Sequence, residues 1–415
     1  MTAPLLLDLT HTSHAQARTG IQRVARALQT ELTARGAALA VTWDPHERVW
    51  RPLEAWESAN LTQTSVGGKR SAKWPLIAKV RGLLRRRLGR ASVFPLSALR
   101  FPLSNSGLLQ PELFSAAVAT ALPELFAHAR GPCVALFHDA LALKFPELAP
   151  LKTVARFPSY LQELSCFDGI AAISADSRDA LLSYWNWLGL RDTPPVEAIP
   201  LGIELPPASP ANCNPLGYTP SGPAVPTALP TILCVCTLEG RKNHLVLLDA
   251  CEQLWMRRVR FELRLIGMAQ AETGQTALAR VRALQQAGWP LRYDGAVDDA
   301  TVPAAYRECQ FTVYPSLLEG FGLPVLESLA LGKPCVCSAR GPVGESARGG
   351  GCVALEEVNP ATLATAIERL LSTPAELAAL ASAAGARRLK SWATYTDELL
   401  AWQRTLRRRS LGAAT

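Results

Sequence analysis

Glu319 and Glu327 are separated by seven residues in the run Y-P-S-L-L-E-G-F-G-L-P-V-L-E-S-L-A-L-G-K-P, which spans residues 314 to 334. Paired carboxylates around a glycine-rich turn can hold sugar hydroxyls while backbone N–H groups meet phosphate. The local structure follows from residue type. Phe311 to Pro315 is apolar and β-prone and leads into a loop, which predicts a buried strand. Pro324 suits the first turn of a helix, where its missing N–H costs nothing. Gly332 suits the position just past the helix end. Glu319 is therefore expected on a loop at the C-terminal end of a strand, and Glu327 in the first turn or so of the next helix. In open α/β sheets ligands bind at that edge, and a helix N-terminus offers N–H groups to phosphate.

A second group is Val235-Cys236-Thr237-Leu238-Glu239-Gly240-Arg241-Lys242-Asn243-His244, between a strand and a helix. Basic residues there can neutralise a diphosphate, Lys242 as a point charge and Arg241 as a planar fork. Phe137-His138-Asp139 ends another strand; His138 could face a ligand, and Asp139 could equally cap the next segment. Arg18-Thr19-Gly20-Ile21-Gln22-Arg23 precedes the first long helix, and Gly20 permits close backbone approach. His11 and His14 have no assigned role.

The elements that must position these groups alternate along the chain. Strands are expected at 4–9, 38–43, 132–137, 169–173 and 196–199, with helices at 22–35 and 151–164. Residues 58–92 read as an irregular or inserted segment. Between 204 and 230 prolines accumulate without any period, the composition of a linker. Alternation then resumes, with strands at 231–236, 261–266, 291–293, 311–315 and 334–338. Helices are expected at 243–253, 302–307, 324–331, 360–371, 374–390 and 394–406. The pattern predicts an α/β protein of two doubly wound, Rossmann-like domains. The expected divisions are an N-terminal domain over 1–203 carrying a basic insertion at 58–92, a linker over 204–230, a C-terminal domain over 231–390, and a final helix with basic tail over 391–415.

At 415 residues the chain is long enough for two cores. No apolar run approaches the ~18 residues that span a bilayer, and the N-terminal run lacks the basic flank of a secretory signal, so a cytoplasmic location is expected. Cys234/Cys236 and Cys335/Cys337 are spaced two apart in apolar runs, which predicts reduced thiols packed in a core rather than a metal site. The net charge of +8 is concentrated. Lys73, Lys79, Arg81, Arg85, Arg86, Arg87 and Arg90 interleave with Trp74, Leu76, Ile77, Val80, Leu83, Leu84 and Leu88; Arg404, Arg407, Arg408 and Arg409 follow near the end. A helix over the first cluster could dock on an anionic membrane, stay solvated, or receive a charged acceptor. Nucleic acid is the weakest choice, because no aromatic stacking platform accompanies the charge.

The run around Glu319 resembles the donor-site signature of the family 4 retaining glycosyltransferases, which have the GT-B architecture of two domains facing each other across a cleft. The resemblance implies that Glu319 lies by the transferred sugar, that Glu327 binds the ribose hydroxyls, and that the backbone of Phe321, Gly322 and Leu323 approaches sugar and phosphates. It places Lys242 on the leaving diphosphate. The family's Arg position holds Thr237 here, so Arg241 would supply that charge from a shifted position. His138 is similar to a family His facing the sugar, and Gly20 to a glycine loop facing donor and acceptor. Smaller matches are Ile173-Ser174 with Ser177, Ile199-Pro200-Leu201-Gly202, Leu265-Ile266-Gly267 and Asp294-Gly295 with Asp298.

The implied reaction moves a sugar from a nucleotide diphosphate to an acceptor hydroxyl with retention, and without metal or cofactor because no D-x-D motif sits on a suitable loop. The leaving phosphate, or Glu319 as nucleophile, would assist. The Arg-Lys-Asn form of the loop looks like the branch that uses GDP-mannose in bacterial polysaccharide and lipopolysaccharide assembly, with glycan or lipid-linked acceptors at the inner membrane; UDP- and dTDP-sugars stay open. The non-enzymatic alternative is a degenerate GT-B protein kept as a sugar-binding or scaffold subunit, which Thr237 favours.

Overall fold

A computed structural model of the chain describes residues 5–15, 19–62, 74–88, 107–204, 229–298 and 300–409. Arg18, Lys73, Arg90 and residues 205–228 of the proline-rich stretch lie outside the described residues. The chain divides into two compact units. One contains Met1–Lys144, Leu151–Gly202 and Trp392–Thr415; the other contains Phe145–Pro150 and Ile203–Ser391.

Among the described residues the first unit has seven strands: β1 (Leu5–Asp8), β2 (Ala38–Asp44), β3 (Val49–Pro52), β4 (Leu108–Gln110), β5 (Cys133–Phe137), β6 (Gly169–Ala172) and β7 (Val196–Ala198). Their order is β3-β2-β1-β4-β5-β6-β7, parallel throughout except for the β2–β3 hairpin. Strands buried on both faces need continuous apolar runs rather than alternation. Leu5-Leu6-Leu7 and Cys133 to Phe137 supply them, every residue buried.

The helix Gly20–Ala34 buries Val24, Leu28 and Leu32, four residues apart on one face. Thr19 and Gln22 form a capping box at its start. The helix Trp392–Thr405 returns to this unit. Gln403 Nε2 donates to the carbonyl of Pro132 at 2.9 Å, and Arg408 reaches Asp168 at 2.6 Å. Gly169 has no side chain, and a Cβ there would meet Trp402 and Leu406 within 3 Å.

The second unit carries β8 (Thr231–Val235), β9 (Glu262–Ile266), β10 (Leu291–Gly295), β11 (Phe311–Tyr314), β12 (Cys335–Ser338) and β13 (Cys352–Leu355), all parallel, in the order β10-β9-β8-β11-β12-β13. The order reverses direction at β8, with β9 on one side and β11 on the other. That is the topological switch point at which doubly wound sheets bind ligands. Leu247, Leu254, Phe261, Leu263, Phe311, Val336 and Ile367 are among the side chains of its core.

Residues 58–92, read from the sequence as irregular, include part of the helix Ala55–Thr62 and the whole helix Leu76–Leu88. Strong helix formers explain the second. Gly82 lets it pack against the turn at His46, since a Cβ there would lie 2.7 Å from the His46 carbonyl oxygen. Among the described residues no helix is long and apolar enough to cross a membrane.

Candidate functional site

Both loops that the sequence singled out in the second unit leave the C-terminal ends of neighbouring strands, β8 and β11, at the switch point. The first runs from Cys236 through a short 3-10 turn, Gly240–Lys242, into the helix His244–Met256. Asn243 makes the corner in the left-handed region, at φ 59° and ψ 35°. Asn tolerates that conformation better than most residues, and its Nδ2 donates to the Pro315 carbonyl at 3.3 Å. Gly267 clears the approach: its φ is +144°, and a Cβ there would sit 2.1 Å from the Cys236 carbonyl oxygen.

The second loop is stitched to the first. Leu317 N–H donates to the Arg241 carbonyl at 2.9 Å, and Ser316 Oγ donates to the same oxygen at 3.2 Å. The loop closes on Gly322, at φ +104°, which precedes the helix Leu323–Ala330. Ser346 Oγ holds the Phe321 carbonyl at 2.8 Å. Phe321 and Leu323 are each 9% exposed, so their side chains support the turn. Glu327 is the fifth residue of this helix, one position further in than expected because the helix begins at Leu323 rather than Pro324; it is half-buried.

Glu319 is the centre of the charge cluster. Lys242 Nζ lies 2.5 Å from its Oε1 and 2.7 Å from Tyr314 Oη, and Tyr314 in turn donates to Oε1 at 2.7 Å. Ser316 Oγ also donates to Oε1. Arg241 Nη1 donates to Oε2 at 2.9 Å and to the Leu318 carbonyl at 3.1 Å, while its Nη2 pairs with Glu239 at 2.7 Å. Burial alone would raise the Glu319 carboxyl. Lys242 and Arg241 outweigh it and hold the group at about 2. The phenol of Tyr314 is pushed well up, first by burial and then by the Glu319 charge. The site is thus a preorganised anion between two cations, with its hydrogen bonds already made.

Arg241, Lys242 and Glu319 therefore meet, although 76 residues lie between Lys242 and Glu319 in the chain. Tyr314, Ser316, Glu239 and Asn243 belong to the same cluster; the first three have no role in the sequence reading, and Asn243 enters it only as part of the Arg-Lys-Asn string. Tyr314 had a signal, as the last residue of a buried strand pointing at the same sheet edge. Thr237 is half-buried beside the Gly267 turn.

The remaining motif residues have local work. Asp294 is paired with Arg264 at 2.8 Å and Arg292 at 2.7 Å. Asp298 accepts from Thr301 N–H at 2.8 Å, at the start of a helix. Among the described residues the group with spacing for a metal is Cys234, Cys236 and His244, which includes neither Glu319 nor Glu327.

In the first unit His138 follows β5, is 3% exposed, and its Nε2 lies 2.8 Å from the Pro111 carbonyl oxygen. Burial pushes the ring below the usual imidazole range, so it is neutral. Ser174 caps the helix Ala175–Trp187, and Ser177 Oγ donates to the His138 carbonyl at 2.9 Å. Asp139 Oδ1 accepts from Leu141 N–H at 3.0 Å, the capping alternative. Gly20 is the first residue of its helix, and a Cβ there would meet nothing within 4 Å. Its own chain thus does not require glycine.

This unit also buries two carboxylates. Asp8 Oδ1 accepts from Thr10 N–H at 2.9 Å while Oδ2 has no partner among the described residues. Glu112 accepts from the N–H groups of His11 at 3.0 Å and Thr12 at 3.2 Å, and from the Thr12 hydroxyl. Burial pushes both up to about 7.

Residues 222–387 match the family model described as "Glycosyl transferases group 1". That stretch contains the whole charge cluster. An O-antigen chain mannosyltransferase B of Escherichia coli is 32% identical over 216 residues, 49% of this chain and 52% of that protein. A serotype-specific mannosyltransferase WbdA of Escherichia coli is 24% identical over 335 residues, 79% of this chain and 38% of that protein. The chain thus spans about half the length of the first of these relatives and less of the second. Among solved structures, Anabaena HepE in complex with UDP-glucose superposes with a TM-score of 0.66 at 16% identity, covering 97% of this chain and all of the other. A sucrose-phosphate synthase from Thermosynechococcus elongatus gives 0.63 at 18% identity, covering 97% and 98%. The chain has the GT-B fold.

Proposed function

We propose that the protein is a retaining glycosyltransferase that moves mannose from GDP-mannose to a glycan or lipid-linked acceptor in the assembly of a bacterial surface polysaccharide. The observation that carries this reading is the pairing of Glu319 with Lys242 and Arg241 at the switch point of the second sheet. The mannosyltransferase relatives favour the choice of sugar.

The chemical problem is charge. As the glycosidic C–O bond breaks, the leaving diphosphate gains negative charge and the sugar carbon gains positive charge. Lys242 and Arg241 stabilise the first, aided by N–H groups where the helix Leu323–Ala330 begins. Glu319, ionised at any pH above about 2, faces the second. Fixed charges of this kind cost no reorganisation at the moment of reaction, and one such contact contributes about 3–4 kcal/mol. Protein cations take the part that a divalent ion plays elsewhere. The leaving phosphate can accept the acceptor's proton, which would leave Glu319 to orient the sugar. Glu327 would hold the ribose.

A peripheral contact on the inner membrane face fits the helix Leu76–Leu88. It exposes Leu76, Ile77, Val80 and Leu84 within an arginine-rich sequence, a combination that favours an anionic lipid surface.

A donor screen tests the reading. Wild-type and Glu319→Ala proteins are supplied with GDP-, UDP- and dTDP-sugars, and released nucleoside diphosphate is measured. Turnover of GDP-mannose that disappears in the variant is the expected result. Turnover of a UDP- or dTDP-sugar alone would replace the donor. Absence of both turnover and binding for every donor would overturn the transferase and favour a sugar-binding scaffold.

A further inference from the structure

A second cluster lies on the same corner and takes no part in that chemistry. Cys234 and Cys236 are two apart near the end of β8, so their side chains share a face, and their Sγ atoms are 3.7 Å apart. His244, the first residue of the following helix, places Nε2 3.4 Å from Cys236 Sγ. One ligand atom from each of the three residues lies within 4.8 Å of the others. Cys234 is 1% and His244 2% exposed, and Cys236 is half-buried.

Core packing of reduced thiols accounts for Cys234, which lies among Ile232, Leu265 and Val336. It does not account for His244. An imidazole in that core has only a thiol, a weak partner, for one nitrogen, and its Nδ1 is buried with no partner among the described residues. Nε2, met only by that thiol, is the nitrogen placed to ligate an ion, while the buried Nδ1 calls for a partner of its own, such as a water.

The spacing answers which ion. A tetrahedral ion with metal–sulfur bonds of about 2.3 Å and metal–nitrogen bonds of about 2.0–2.1 Å requires sulfur–sulfur edges of about 3.8 Å and sulfur–nitrogen edges of about 3.6 Å. Two edges of this cluster, Cys234 Sγ–Cys236 Sγ at 3.7 Å and Cys236 Sγ–His244 Nε2 at 3.4 Å, need to change by only tenths of an ångström, and the third lies within 4.8 Å. Two thiols and an imidazole without a carboxylate select a borderline or soft ion over magnesium or manganese. Three protein ligands leave a fourth position for another donor.

We propose that Cys234, Cys236 and His244 form a zinc-class metal site that pins the end of β8 to the start of the next helix. Two thiolates and a divalent ion are formally neutral together, so loading adds no net repulsion beside Lys242. The consequence is mechanical: the site brackets residues 237–243, the corner that carries Arg241 and Lys242. This inference does not depend on which sugar, or any sugar, is transferred.

The test is a cadmium titration of the full chain after chelator treatment, read by the ultraviolet thiolate-to-cadmium charge-transfer band. One Cd2+ per chain with a two-thiolate amplitude, displaced by Zn2+, is expected. Cys236→Ser should halve the amplitude. His244→Gln should keep the amplitude and weaken binding more than about 10-fold. Cys335→Ser/Cys337→Ser should change neither. Circular dichroism reports folding, and Cys236→Ala serves in place of the serine variant if that one unfolds. A band unchanged in Cys234→Ala/Cys236→Ala, or no saturable band in folded wild type, would overturn the proposal.

Discussion

Two pairs of strand ends in this molecule bury carboxylates, and they do opposite things with them. After β11, Glu319 sits between Lys242 and Arg241 and its carboxyl is held at about 2. At the end of β1 and just past β4, Asp8 and Glu112 are fully buried but are held by hydroxyl and amide donors, and both rise to about 7. Burial penalises all three charges. The difference is a pair of cations within hydrogen-bond distance. Glu319 therefore keeps its charge across physiological pH, whereas Asp8 and Glu112 change charge within it.

The largest expected effect breaks the cationic side. Lys242→Ala should lower kcat by about 100- to 1,000-fold in the donor assay, the range for removing one preorganised contact to developing charge. An unchanged kcat would mean that the cluster is only structural.

The pH dependence of stability separates the two regions further. Asp8 and Glu112 have folded values raised above their ordinary 3.8 and 4.5, so the stability they contribute is present below about pH 4 and is lost as pH rises through about 7. Glu319 runs the other way: its contribution is present above 4.5 and lost as pH falls through about 2. Unfolding free energies from denaturant titrations between pH 5 and 8 should therefore fall with pH, by on the order of a few kcal/mol. Asp8→Asn should flatten that slope, since the amide cannot ionise. A slope that is unaltered in the variant would assign the titration elsewhere.

The smallest effect sharpens the geometry. Tyr314→Phe removes the hydroxyl that accepts from Lys242 and donates to Glu319. It leaves both charges in place, so the expected cost in unfolding free energy is about 1 kcal/mol. A loss of activity as large as that of Lys242→Ala would instead make the phenol a direct partner of the substrate.

Much of this was legible in the chain, for a local reason. Leu5-Leu6-Leu7 and Phe311 to Pro315 are apolar runs bounded by loop residues, and Pro324 and Gly332 bracket a helix in the places where each residue is tolerated. Glu319 and Lys242 stood out because their neighbours fix the backbone around them. What escaped was non-local. β4 is three residues long, too short to show a period, and is a strand because β1 and β5 lie on either side of it. Tyr314 and Ser316 read as ordinary strand-end residues until the loop after β8 comes to meet them. Asn243 read as part of a basic motif, yet its work is a left-handed corner. The helix Gly341–Ala347 contains two glycines and a proline, and its sequence argues against it. Gly344 is tolerated because the Ala339 carbonyl passes where a Cβ would be, at 1.9 Å.

The return of the helix Trp392–Thr405 to the first unit has a consequence for synthesis. A ribosome makes the seven strands of that unit before residue 200, yet the groove lined by Gly169, Leu108 and Pro132 waits for Trp402 and Gln403. The long stretch of the second unit, Ile203–Ser391, must emerge in between. The nascent first unit thus spends about half of the elongation time with an apolar seam uncovered, the interval in which a chaperone would find it.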